Sequence, residues 1–168
     1  IKAQVYDYAL LQDQSMAAAF YADKPDEYAH VPENFVKLAD MVLAHSPECK
    51  LILEHTWGYK KEDCKGFKTI EKFNDMLREG CATIAALKNA EISHIGDAFI
   101  AVDTKKLGNS LHASDDHHQS YYGSYLKACV NYLMITGEPF SENVANCGID
   151  PQKAEILRKA AEKTVLGE

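Results

Sequence analysis

The chain has 168 residues, 46% hydrophobic and 26% charged, a length and balance that suit one folded domain with one core and argue against disorder. Its formal net charge is −7 with no dense run of lysine and arginine, which makes nucleic acid and anionic membrane surfaces poor partners. No apolar run approaches the ~20 residues of a membrane span, and the opening Ile-Lys-Ala-Gln does not read as a signal peptide.

Strand and helix patterns alternate. Val5 to Gln12 is a short, mostly apolar run that reads as a buried strand. A polar stretch follows, and Pro32 then starts a helix where its missing N–H costs little. Phe35, Leu38, Ala39, Val42 and Leu43 give that helix one apolar face, and Ser46-Pro47 closes it. Lys50 to Trp57 reads as a second strand. Thr69 to about Asn89 forms a long helix with Ile70, Phe73, Leu77, Ile84 and Leu87 inward, although Gly80 weakens its middle. Ile92 to Ile95 is a third strand, and Asp97 to about Leu107 a helical turn or short helix. Ser120 to Thr136 is the next helix, ended by Gly137. The last helix begins at Asp150-Pro151, a capping acid and a first-turn proline, and runs to about Val165. The five cysteines (49, 64, 81, 129 and 147) show no Cys-x-x-Cys spacing, and Cys81 and Cys129 sit in helical patterns as small hydrophobes. Regular βα alternation argues one α/β domain over residues 1–168, a parallel sheet with helices on both faces.

In such sheets ligands bind beyond the carboxyl ends of the strands. That rule selects Gln12 to Ser15, Thr56 to Tyr59, and the loop from His112 to His118. In that loop Asp115 precedes His118 by three residues, so one short turn can fold a carboxylate onto an imidazole, fix its tautomer and free the other nitrogen to take a proton. Two other readings fit the same residues. Asp115 or Ser120 can serve as a helix N-cap with the imidazoles in solvent, and His112, Asp115, Asp116, His117 and His118 offer metal ligands in a short span. Gln12 and Gln14 can donate amide hydrogens to a developing oxyanion. Trp57 and Tyr59 can wall a substrate or pack in the core. Ser15 fits a cap better than a nucleophile. His55 reads as a hydrogen-bonded core imidazole, and His30, His45 and His94 carry no motif.

Four blocks in order resemble the SGNH (GDSL-like) hydrolase superfamily, especially its bacterial branch. They are Tyr6-Asp7-Tyr8-Ala9-Leu10-Leu11-Gln12-Asp13-Gln14-Ser15, Thr56-Trp57-Gly58, Ile95-Gly96-Asp97-Ala98, and Asp115 through Leu126. The resemblance spans about Val5 to Thr136. It implies a flavodoxin-like three-layer α/β/α sandwich and ester hydrolysis with His118 as base and Asp115 as its orienter. It implies no resident cofactor and no metal. The family's Gly-Asp/Asn-Ser nucleophile block, its oxyanion glycine and its third-block asparagine have no counterpart here; Gln12 or Gln14 can replace the asparagine. The chain starts on what resembles the family's third strand, so the first strands and the serine are expected outside this sequence.

The resulting expectation is an esterase or deacylase acting on an acyl ester, with a carbohydrate ester fitting the aromatic rim and acidic surface. The alternatives are a non-catalytic α/β binding module and a metal-dependent hydrolase built on the His112–His118 cluster. An unpaired apolar Val5–Gln12 edge calls for cover: an upstream segment, a partner chain or a second copy in a homo-oligomer. Expressed alone, the 168 residues are expected to self-associate and to lack serine-dependent activity.

Overall fold

The computed structural model describes residues 4–60, 66–141 and 143–167. Three parallel strands form the sheet: β1 (Tyr8–Leu11), β2 (Lys50–Glu54) and β3 (Glu91–Ser93), in the order β1-β2-β3. Tyr8 pairs with Lys50 and Leu11 with Leu53, while Ile52 pairs with Glu91 and Glu54 with Ser93. Leu51 to Glu54 of the central strand are all buried, which is why β2 reads as a continuous apolar run instead of an alternating one. β1 is less protected. Among the described residues it pairs with β2 alone, and Leu10 stays 37% exposed.

The helices divide between the two faces, as the alternation implied. On one face α1 (Ala17–Asp23), α2 (His30–Leu43) and α3 (Ile70–Ala86) cover Leu11, Leu51 and Leu53. Val31, Phe35, Ala39 and Val42 are the buried stripe of α2, and Cys81, Ile84 and Ala85 that of α3. The second face carries α4 (Ile95–Ala101), α6 (Tyr121–Thr136) and α7 (Pro151–Val165), around Ile95, Phe99, Leu126, Val130, Leu133 and Leu157. A one-turn α5 (Thr104–Leu107) separates α4 from the Asp/His loop.

Most helix ends lie where capping chemistry puts them. Thr69 accepts from Lys72 N, Ser120 from Gly123 N, and Asp150 from Gln152 N and Lys153 N, each satisfying amides that a helix start leaves unpaired. Asp103 caps α5 in the same way and so splits the 97–107 segment in two. Gly137, at φ 68°, closes α6 in the left-handed conformation that glycine adopts at low cost. α2 starts two residues before Pro32, at His30.

Helix α1 was not legible as a helix among the polar residues after the first strand. Its core is Ala17-Ala18-Ala19-Phe20, a strong local helix former, and it is held by close packing on α3. A Cβ at Gly80 would sit 1.9 Å from the Ala18 carbonyl oxygen. The glycine that weakened α3 on paper is what admits α1 to it.

Candidate active site and a second polar cluster

The Asp/His loop closes on itself before it meets anything else. His112 and Gln119 form an antiparallel bridge, Ala113 N donates to His118 O at 2.8 Å, and Ser120 N donates to Leu111 O at 2.8 Å. Asp116 turns the chain with φ 60°, a conformation that aspartate tolerates better than most residues. Asp115 Oδ1 accepts from the amides of His117 (2.9 Å) and His118 (3.0 Å), while Oδ2 lies 2.6 Å from His118 Nδ1. The hydrogen bond from His118, with the two amides behind it, holds the Asp115 carboxyl well below the usual carboxylate range. The pair expected from three-residue spacing is therefore formed. Of the two candidate caps, Ser120 caps α6 and Asp115 orients the imidazole.

Residues following β2 seat this loop. Trp57 Nε1 donates to His117 O at 2.9 Å, Lys60 N to Asp116 O at 3.0 Å, and His112 Nε2 to Gly58 O at 2.9 Å. The Tyr59 ring lies 4.6 Å from that of His117. Burial lowers the His112 pKa, so its ring serves as a neutral donor to that carbonyl. Trp57 is buried and stacks on Phe99 at 4.8 Å; Tyr59 is buried against Phe73. Their ring faces are taken up by packing, and what they set is the position of the loop. The His118 side chain itself is 80% exposed. Its ring faces solvent, yet its loop is anchored beside the carboxyl end of β2.

The residues after β1 stand nearby in the fold but do different work. Gln14 Oε1 accepts from Met16 N at 2.8 Å in the turn that leads into α1. Ser15 is no cap: its hydroxyl hydrogen-bonds the Tyr59 hydroxyl, and its carbonyl accepts from Thr56 Oγ1. Gln12 Oε1 accepts from Lys127 Nζ at 2.8 Å, which leaves its amide nitrogen as the donor end. Lys127 also reaches Glu54 Oε2 at 2.6 Å, and Asn131 links Glu54 to Ser93. This polar layer joins β1, β2 and β3 to α6.

A second histidine–carboxylate group lies at the carboxyl ends of β2 and β3. His94 Nδ1 is 3.0 Å and His55 Nδ1 3.8 Å from Asp97 Oδ2, while Asp97 Oδ1 accepts from Asn74 Nδ2 (2.8 Å) and Arg78 Nε (3.0 Å). Burial alone would raise Asp97, but His94 and Arg78 outweigh it and hold the carboxyl well below its ordinary range. Burial lowers His55 to about 4, so its contact with Asp97 is no ion pair at neutral pH. The hydrogen-bonded core imidazole expected at His55 is half right. The ring is fully buried, but neither nitrogen has a hydrogen-bond partner among the described residues.

This arrangement also corrects the metal reading of the 112–118 loop. Among the described residues, the His and Asp atoms that converge within 4.8 Å of one another belong to His55, His94 and Asp97. His112 and His118 are instead committed to Gly58 and Asp115. Of that cluster, sequence patterning singled out only the Ile95-Gly96-Asp97-Ala98 block, and the two histidines carried no local signal. Cys81 and Cys129 are buried thiols, both pushed up to about 12 by burial, and Cys64 lies outside the described residues.

No family model and no curated protein matches the chain. Two solved structures do. One is a DUF4886 family protein from Bacteroides uniformis, 24% identical with a TM-score of 0.80, covering 98% of this chain and 64% of that one. The other, a proposed SGNH hydrolase from Slackia heliotrinireducens, is 22% identical with a TM-score of 0.62, covering 79% of this chain and 67% of its own. The chain thus spans about two thirds of the length of each. Parallel strands between two helical layers, with an Asp-x-x-His loop seated at the strand ends, give this chain an SGNH-like α/β/α fold.

Proposed function

We propose that this chain carries the acid–base half of an SGNH-type esterase or deacylase. His118 acts as general base and Asp115 as its positioning residue. One observation carries the reading: Asp115 holds His118 Nδ1 at 2.6 Å with one oxygen while two backbone amides hold the other. That leaves Nε2 pointing away from the carboxylate, the arrangement a base needs to accept a hydroxyl proton. A serine from upstream of Ile1 attacks the ester carbonyl and His118 takes its proton. His118 then returns the proton to the leaving alcohol, and water resolves the acyl-enzyme by the same route.

Gln12 is the residue best placed for the oxyanion or the substrate, since Lys127 occupies its carbonyl oxygen and leaves the amide hydrogens to donate. Gln14, Trp57 and Tyr59 support the site by bonding the turn into α1 and seating the loop. The substrate is a small acyl ester; a carbohydrate-linked ester loses the support of an aromatic rim, because the Trp57 and Tyr59 rings are buried. The side of β1 that is unpaired among the described residues is where we would seat an upstream strand carrying the serine, or else a partner chain or a second copy.

The test uses the complete protein, including the residues upstream of Ile1, with a p-nitrophenyl ester and a fluorophosphonate probe. One serine upstream of Ile1 should label, His118→Ala should cut turnover by roughly three orders of magnitude or more, and His117→Ala should change it little. Absence of labelling makes the chain a non-catalytic α/β module. Equal losses in the two histidine variants remove His118 from its role.

A further inference from the structure

We propose that His55 Nδ1, His94 Nδ1 and Asp97 Oδ2 form a three-ligand site for a divalent transition metal of the zinc type, at the carboxyl ends of β2 and β3. The first support is an orphaned group. His55 is fully buried, neither ring nitrogen makes a hydrogen bond of ordinary geometry among the described residues, the Asn74 backbone giving the ring only a weak contact, and its Nδ1 faces Asp97 Oδ2 at 3.8 Å. A buried polar group left unmade costs about 1–3 kcal/mol, and native interiors carry few of them without a reason such as an ion.

Geometry is the second support. Tetrahedral zinc with nitrogen and oxygen donors at about 2.0–2.1 Å sets those donors roughly 3.3 Å apart. Here His94 Nδ1 and Asp97 Oδ2 are 3.0 Å apart and His55 Nδ1 and Asp97 Oδ2 3.8 Å, and one ligand atom from each of the three residues lies within 4.8 Å of the other two. His94 is the more exposed of the two imidazoles, its side chain 37% exposed and its Nδ1 on Asp97 Oδ2, so it is the ligand with room to adjust. That exposure puts the His94 side of the cluster within reach of solvent.

The surroundings are those of a ligand set. Asn74 Nδ2 holds Asp97 Oδ1, and the Arg78 guanidinium spans both carboxylate oxygens, its Nε 3.0 Å from Oδ1 and 3.1 Å from Oδ2, so the carboxylate is fixed and a metal on Oδ2 takes the place of the longer Nε contact. Asn74 Oδ1 is itself unpartnered. A Cβ at Gly96 would lie 2.2 Å from Asn74 Oδ1 and 2.8 Å from His55 Nε2, so these two atoms border one small space. Two imidazoles and one carboxylate suit zinc and its neighbours, whereas calcium and magnesium require oxygen sets. Arg78 already offsets the Asp97 charge, which further disfavours ions held by charge alone.

The site is independent of ester hydrolysis, and its test reads metal uptake. The full chain, stripped with a chelator, is titrated with cobalt(II) and then with zinc(II). One equivalent of cobalt should bind with the visible absorption of a four-coordinate nitrogen/oxygen site, and zinc should displace it. His94→Ala should weaken binding by more than the roughly 10- to 100-fold that loss of an outer-shell partner costs, while His118→Ala should bind as the wild type does. Nitrogen NMR carries the test without substitution: zinc should shift the Nδ1 resonances of His55 and His94 and leave that of His118 in place. No uptake by the wild type, unchanged binding in His94→Ala, or shifts confined to the 112–118 loop overturns the proposal; the first outcome means that a buried water satisfies His55.

Discussion

Two histidine–carboxylate groups sit at the same end of this sheet and are built in opposite ways. Asp115 and His118 are three residues apart on one loop and exposed, with both Asp115 oxygens and His118 Nδ1 hydrogen-bonded. His55, His94 and Asp97 come from two strand ends and a helix, surround a fully buried ring, and leave both of its nitrogens unpartnered. An exposed pair adds little to stability, because water competes for every contact. In the proposed function its value lies in the orientation it gives a proton acceptor. A buried polar group without partners is a burden on the fold, which is why it points to a ligand. The first group should therefore fail in turnover when altered, and the second in folding.

The largest expected effect separates the two. Asp115→Asn in the complete protein should lower ester turnover by about 10²–10⁴ with the melting temperature unchanged. A drop in melting temperature comparable to that of a core substitution would mean that the loop is structural after all. Gly96→Ala should do the reverse. Its methyl would press on Asn74 Oδ1, Thr56 O and His55 Nε2, a degree of overpacking worth about 1–3 kcal/mol. Urea unfolding would measure it, and a variant as stable as wild type would show that the cluster is loose.

Trp57→Phe tests the link between the regions. The ring stack on Phe99 persists while the Nε1 hydrogen bond to His117 O is lost, at a cost of about 1 kcal/mol. Turnover should fall more than that figure alone requires if the bond positions His118, and an unchanged rate would make Trp57 packing only.

The smallest effect is a titration. Because His118 and two amides hold the Asp115 carboxyl below its ordinary range, its carbon resonance should not move between pH 7 and pH 4. The sign follows from linkage: a depressed carboxylate contributes stability above its unfolded value and loses it only as pH falls through the folded one. Movement near pH 4 would show that the pair is not formed in solution.

Legibility in the sequence followed the range of the interactions. The Asp115–His118 pair, the Ser120 and Asp150 caps and the Gly137 stop each depend on groups within a few residues, so spacing and residue type were enough to find them. Ser15 was misjudged because its hydroxyl partner, Tyr59, is 44 residues away. α1 was missed because its stability comes from docking on Gly80, a contact that composition does not encode.

What the sequence determined by itself was therefore the α/β class, most element positions and the one Asp–His pair that a single loop can assemble. Helical and strand periodicity and capping are local properties of the chain. Tertiary structure decided the rest. It placed β2 at the centre of the sheet, turned Trp57 into the anchor of the loop, and brought His55, His94 and Asp97 together under Asn74 and Arg78. Those arrangements depend on which strand lies beside which and on how closely α3 approaches α4. Both are settled by core packing, where residues far apart in the chain compete for the same buried space.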